Sequence, residues 1–355
     1  MSIWTRGPPS AEARPVDVLG LLEDLPPVDQ KPANDQKPPS DKGPPLDQKP
    51  PPDQTPPTAT WTTMKSNVTS NLRAVWGTAF ANVFAVGDQG TVLHYDGNIQ
   101  EKWTSVGAGS TIELRGVTGH DSDPSTAYVV GAANTILNCS TTKGCTALSC
   151  TPGTSLPKTD YRDVHAVALG NLFLAGSEML TNTPVVHRWV NGVCIPGPIS
   201  AGAGTINGVW AAANNDAFAV ADSGATFHDD GSGWSPLGQA LPVTLYDVYG
   251  AGPLILAVGQ YQSVYAHDQT GNWSSELTPA AVTDLHGVWT NGPQAYAVGA
   301  SRTVLERAVN GAWSAMQLPS DADAATILRG VWGNKNGTQL FVVGDSGTIL
   351  HYAGP

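Results

Sequence analysis

Charge is scarce in this chain, and long apolar runs are absent. Only 14% of its 355 residues are charged. No stretch reaches the roughly 18 consecutive apolar residues of a membrane-crossing helix, so no transmembrane segment is expected. Basic residues are few. The formal net charge is -12, and residues 59–355 alone hold 21 acidic against 12 basic side chains. Phosphate backbones are held by a basic footprint, so a nucleic-acid partner is not expected. Glutamate is rarer still: after residue 58 there are only Glu101, Glu113, Glu178, Glu276 and Glu306. There is no G-x-S-x-G, no P-loop and no H-E-x-x-H, so no cofactor and no metal is expected. The first 25 residues lack a basic segment followed by an apolar stretch, so no signal peptide is expected either.

Cysteine is confined to Cys139, Cys145, Cys150 and Cys194. An even, clustered set points to two disulfides and an oxidising compartment, with four free thiols as the alternative. The C-x5-C-x4-C spacing lacks the paired C-x2-C knuckle of zinc sites. Of three possible connectivities, the expectation is Cys139–Cys145, across a hairpin, with Cys150–Cys194 joining neighbouring repeats. Location outside the cytoplasm follows: extracellular, periplasmic or at the cell surface.

Proline is abundant but uneven: 15 of 28 lie in the first 58 residues. Residues 26–57 read VDQKP, NDQKPP, SDKGPP, LDQKPPP, DQTPP. Such low-complexity sequence has almost nothing apolar to bury, and residues 1–58 are expected to be a disordered spacer. DQ-P tracts of this kind resemble the spacers of bacterial surface lipoproteins, although no lipobox cysteine is present. Residues 59–355 form the second expected domain.

Those residues are built from an internal repeat. The clearest copies are LRAVWGTAFANVFAVGDQGTVLHYDG (72–97) and LRGVWGNKNGTQLFVVGDSGTILHYAG (328–354). The anchor position holds Trp76, Thr118, His165, Trp210, Tyr249, Trp289 and Trp332, at spacings of 42, 47, 45, 39, 40 and 43 residues. That period fits four-stranded blades. Strand a is LRAVWG, strand b the NVFAVG type, strand c the GTVLHY type. Strand d starts at Trp103, Trp234, Trp273 or Trp313. Asp-Gly and Asn-Gly turns supply positive φ in the c–d hairpins, and positive φ is likewise expected of the Gly closing strand b (Gly87, Gly131, Gly176, Gly259, Gly299, Gly344). The seventh copy stops after strand c, while ATWTTMKS (59–66) precedes the first. The fold expected is therefore an all-β, seven-bladed propeller closed by residues 59–66 as the last blade's outer strand.

The motif V-W-G…A-V-G-D-x-G-T-x-L-H-Y-D-G is similar to propeller repeats in secreted proteins of myxobacteria. It also resembles those of the photosystem II stability/assembly factor family and, more distantly, the Asp-box blades of sialidases. The assembly-factor resemblance implies an arginine patch at the ring face holding a carboxyl-bearing protein segment. The sialidase resemblance stops at Asp230-Gly231-Ser232-Gly233-Trp234, with no Tyr–Glu pair to place.

The second residue of strand a gives Arg73, Arg115, Arg162, Asn207, Tyr246, His286 and Arg329, a ring at one mouth of the channel. Four of its seven members are arginines, from contiguous blades. The fork of arginine suits a carboxylate, and the expected partner is an acidic peptide, a protein C-terminus or an acidic glycan, bound by a monomer. Alternatively Asp88, Asp222 and Asp345 neutralise the ring and the protein is a purely structural scaffold. Arg115 and Arg162 have no aspartate at that position in their own blades and are therefore the stronger candidates. A carbohydrate-active enzyme is the other alternative, with Asp163 and Asp247 the nearest approach to a carboxylate pair. His94, His187, His228 and His351 recur in strand c, one per blade, and are expected to hydrogen-bond within the blades.

Overall fold

The computed structural model describes residues 59–98, 102–151, 155–200, 202–279, 283–319 and 325–354. The expected spacer, residues 1–58, lies outside them. The described strands form seven four-stranded antiparallel sheets, one per copy of the repeat. This is a seven-bladed β-propeller. Blade 1 runs Leu72–Ala79 (a), Asn82–Gly87 (b), Thr91–Tyr95 (c) and Thr104–Ser105 (d). The a strands of successive blades pack against one another, and that of blade 7 packs against that of blade 1. In blade 7, strands Leu328–Gly333, Gln339–Gly344 and Ile349–Ala353 are completed by Thr60–Met64. That strand pairs from Thr60↔Ala353 to Met64↔Ile349.

Each b strand is covered on both faces by neighbouring blades, and after its first residue NVFAVG is buried throughout. This is why the sequence shows apolar runs where a one-sided sheet would alternate.

The W-G dipeptide is explained by contacts between blades. Each strand-a Trp lies on a glycine in strand a of the next blade. A Cβ on Gly119 would sit 2.2 Å from Trp76; on Gly250, 2.8 Å from Trp210; on Gly333, 2.7 Å from Trp289; on Gly77, 3.1 Å from Trp332. Where the anchor is not Trp, the facing residue is larger. Thr118, His165 and Tyr249 are followed by Ala166, Ala211 and Thr290. Thr118 replaces the lost contact by accepting a hydrogen bond from the next blade's Ala166 amide, and His165 by a hydrogen bond to the backbone of Ala211. Size is thus matched pairwise around the ring. Gly333→Ala should destabilise the fold by about 2 kcal/mol through overpacking. Adding Trp289→Tyr should recover part of the loss, following the Tyr249–Thr290 precedent. Urea unfolding of both singles and the double measures that coupling; strictly additive effects would contradict it.

Two turn expectations are corrected. The glycine ending strand b does not have positive φ: Gly87, Gly259 and Gly344 are extended, at -171°, -169° and -165°. The requirement is steric. The carbonyl just before strand a accepts the amide following this glycine, as in Asp88 N–H to Asn71 O at 2.9 Å. A Cβ on Gly87 would then lie 2.0 Å from that oxygen, and on Gly299 2.0 Å from Asp284 O. In the c–d hairpins both central residues are left-handed at Asn191-Gly192, whereas at Asp96-Gly97, Asp230-Gly231 and Asn310-Gly311 only the glycine is. There the Asp or Asn side chain accepts an amide two residues on, from Asn98, Ser232 and Ala312. These are Asx turns rather than two-residue type I′ turns.

Both disulfides are present as expected. Cys139–Cys145 joins directly paired residues of strands c and d in blade 2, and Cys150–Cys194 joins the segment after blade 2 to strand d of blade 3. The strand-c histidines lie within their blades. His94, His228 and His351 bond to Asn82, Asp216 and Gln339 at the start of strand b, at 2.8, 2.9 and 2.6 Å. Each ring packs on a Phe of strand b: Phe84, Phe218 or Phe341. His187 is fully buried between Thr159 and the Gly197 amide.

Candidate functional site

All seven ring residues line one cavity of about 360 Å³ at the axis. A backbone device puts them there. In every blade the a–b register slips by one residue at this position, for example between Leu72 and Ala74 and between Tyr161 and Asp163. The slip recurs at the same place in the other five blades. The ring residue is thus the extra residue of a β-bulge, which turns its side chain out of the sheet. The bulge also lets consecutive residues, Arg162 and Asp163, line the same cavity.

The arginines are not equivalent. Arg73 pairs with Asp88 at 2.5 Å and with Glu113 at 2.8 Å. Arg115 pairs with Glu113 at 3.1 Å and with Asp160 at 2.8 Å. Arg329 pairs with Asp345 at 2.5 Å. Asn207 donates to Asp222 Oδ1 and to Leu245 O, both at 2.8 Å. Tyr246 donates to Asp284 Oδ2 at 3.2 Å. Asp88, Asp222 and Asp345 therefore engage the ring, as in the neutralised alternative. Asp88 is held below the usual carboxylate range despite its burial, by its bonds to Arg73 and Asn71.

The expectation for Arg115 is corrected. Its own blade has no aspartate after strand b, yet two carboxylates hold it. They lie elsewhere: Glu113 two residues before it in the same blade, and Asp160 at the start of blade 3. The repeat pattern does not single out Glu113, Asp160 or Asp284. Glu113 is nonetheless close in sequence, just before strand a and two residues from Arg115.

Arg162 is the exception. It is exposed and lines the cavity. It is the one ring arginine for which the described residues provide no ion pair. Desolvation and the repulsion of Arg115 lower its pKa from the usual guanidinium value, while Asp160, Asp222 and Glu113 attract it from a distance. A guanidinium repelled by its neighbour and engaged by no carboxylate can direct its whole donor set at a ligand.

Below the ring, Asp163 and Asp247 also line the cavity. Asp163 accepts from Val164 N–H and from Val209 N–H of the next blade, at 2.8 and 2.9 Å. Asp247 accepts from Val248 and Val288 in the same way, both at 2.8 Å. Each therefore clamps one blade to the next. Burial pushes Asp163 up to about 6 and Asp247 well above the usual range, Asp163 adding its repulsion to the second. With both oxygens of each held by amides, the pair is poorly placed for acid–base work on a substrate. Deeper in the channel stand Trp76, Tyr249, Trp289 and Trp332, under an ion pair between Lys335 and Asp121.

No family model matches the sequence, and no curated protein is similar to it. Similar solved structures include YCF48 from Cyanidioschyzon merolae (TM-score 0.62, 14% identity), covering 82% of this chain and 98% of that one. YCF48 bound to D1 peptide is similar at a TM-score of 0.64 and 14% identity, covering 83% and 96%. The WD40 β-propeller domain of Doa1 gives 0.67 and 13%, covering 82% and 95%. At such identity these likenesses establish the fold. They extend it to the photosystem II assembly factor that the repeat motif resembles.

Proposed function

We propose that this protein is a non-enzymatic binding propeller that takes the carboxylate of a protein segment, an acidic peptide or a free C-terminus, at Arg162. The observation that carries the reading is the asymmetry of the ring. Three arginines are held by Asp88, Glu113, Asp160 and Asp345, and Arg162 alone is left exposed. A single unengaged guanidinium inside a concave mouth suits one carboxylate better than an extended anion. The fold-level likeness to YCF48 bound to D1 peptide supports a peptide as the ligand class. Two disulfides support a location outside the reducing cytoplasm.

Arg162→Gln should weaken binding of a fluorescein-labelled acidic peptide to the full-length protein about ten-fold or more. Fluorescence anisotropy at low and physiological salt reads this, and the wild-type affinity should fall as salt rises. Because Arg162 forms no ion pair among the described residues, the melting temperature should stay within a few degrees. Unchanged affinity in a folded variant would overturn the reading.

A further inference from the structure

The arc of the mouth opposite the arginines carries an aromatic feature that the fold does not need. In three blades the b–c connection is one tight turn: Asp88–Gly90, Gln260–Gln262 and Asp345–Gly347. Its middle residue is left-handed in each, at Gln89 (φ 58°), Tyr261 (φ 56°) and Ser346 (φ 54°). Among the twelve non-glycine residues with positive φ in the described structure, Tyr261 is the only aromatic one. A bulky side chain is disfavoured in that conformation, and such outliers gather at ligand clamps. Packing does not explain it, because Tyr261 is 64% exposed.

Its surroundings tie it to the mouth. The Tyr261 amide donates to Asp284 Oδ1 at 3.1 Å, and the other oxygen of that carboxylate accepts the Tyr246 hydroxyl. The Tyr246 ring lies on His286, with centroids 5.0 Å apart. Tyr246 and His286 both line the cavity. Burial and the nearby Arg329 lower the His286 pKa, so near neutral pH it presents an uncharged ring. One carboxylate thus holds both the backbone of an exposed tyrosine and the hydroxyl of Tyr246, whose ring is tilted against His286, on the arc opposite the arginines.

We propose that Tyr261, Tyr246 and His286 form a wall that reads an aromatic or large apolar side chain within the last three residues of a carboxylate-terminated peptide. This rests on Arg162 taking the carboxylate. A sugar fits less well, because the polar groups of the arc are already engaged: Tyr246 by Asp284, and Asn207 by Asp222 and Leu245. Few remain for sugar hydroxyls, whereas an apolar side chain needs none.

The test uses the full-length protein and labelled pentaglycines with a free C-terminal carboxylate, carrying Phe in turn at each of the last three positions. At least one Phe peptide should bind roughly five- to ten-fold more tightly than pentaglycine. Tyr261→Gly, which suits the left-handed turn and so preserves the fold, should remove most of that preference and leave pentaglycine binding unchanged. Binding that depends on Arg162 but is indifferent to Phe and to Tyr261 overturns the wall and leaves the carboxylate site standing. Failure of every peptide overturns both. A labelled uronic-acid tetrasaccharide bound through Tyr261, with no peptide bound, overturns the peptide assignment in favour of an acidic glycan.

Discussion

A variant lacking residues 59–66 should melt at least about 10 °C below the full-length protein, with several kilocalories per mole of stability lost. The segment Thr60–Met64 is the outer strand of blade 7, although it precedes blade 1 in sequence. Met64 is 4% exposed and joins the core cluster containing Val343, Ile349 and Leu350. Burying a side chain of that kind is worth about 2–5 kcal/mol on truncation. The Trp61 ring packs at a tilt against Tyr352, with centroids 5.1 Å apart, adding about 1 kcal/mol. Removing the strand, with its five paired residues, also leaves the edge of Ile349–Ala353 unpaired. The sum is on the order of 5 kcal/mol, comparable to the whole stability of many domains, and each kilocalorie moves the melting temperature by about 2 °C in a protein of this size. Thermal unfolding of the full-length protein, of a variant starting at residue 58 and of one starting at residue 67 separates the contributions. The variant from residue 58 should melt with the full-length protein, since the proline-rich segment offers little to bury. Equal melting of all three would show that the strand closes nothing.

His187→Gln should change the acid sensitivity of the fold by about 3 kcal/mol between pH 7 and pH 4. Burial lowers the His187 pKa to about 4, from an ordinary value near 6.5. The hydrogen bonds explain the cost of protonation. Nδ1 accepts the Gly197 amide, so Nε2 carries the proton towards the Thr159 hydroxyl. Charging the ring would bring a second N–H against the Gly197 N–H. A base with a depressed folded pKa gives stability that is present above the unfolded value. That stability is lost as pH falls through the window from about 6.5 to about 4. The residue is 0% exposed, so the fall from 6.5 to about 4 converts to about 3 kcal/mol. His351, buried at 8% exposure and also lowered to about 4, acts in the same direction. Asp163 acts oppositely. Its carboxyl is raised to about 6, so its contribution is fully present below about 3.8 and is lost as pH rises through 6. Urea unfolding at half-unit pH steps should therefore show the wild-type advantage over His187→Gln shrinking as pH falls. The advantage over Asp163→Asn should grow across the same range. Parallel pH profiles for wild type and both variants would contradict these assignments.

The blade count and the role of residues 59–66 are legible in the sequence because each repeat marks itself with the same anchor and the same glycines. What the repeat does not convey is contact between repeats. Trp76 and Gly119 are distant in sequence, yet each explains the other's size only once blade 1 is set beside blade 2. The same limit lies behind the correction at Arg115. Its partner Asp160 belongs to the next blade, and aligning each repeat on its own strand a leaves that residue out. Glu113 is within reach, two residues upstream and just before the strand. Tyr261 is not, because nothing in the sequence reveals that its backbone is left-handed. Nor does the sequence disclose the bulge that turns all seven ring residues to the axis; Arg162 followed by Asp163 reads as two residues on opposite faces of a strand.

Carboxylate capture by Arg162 is measured by comparing one acidic peptide as its free C-terminal acid and as its C-terminal amide, each titrated into the full-length protein and into Arg162→Gln. The acid should bind the wild type more tightly than the amide, and Arg162→Gln should not tell the two apart. Equal binding of acid and amide by the wild type, or a preference that survives in Arg162→Gln, would contradict it.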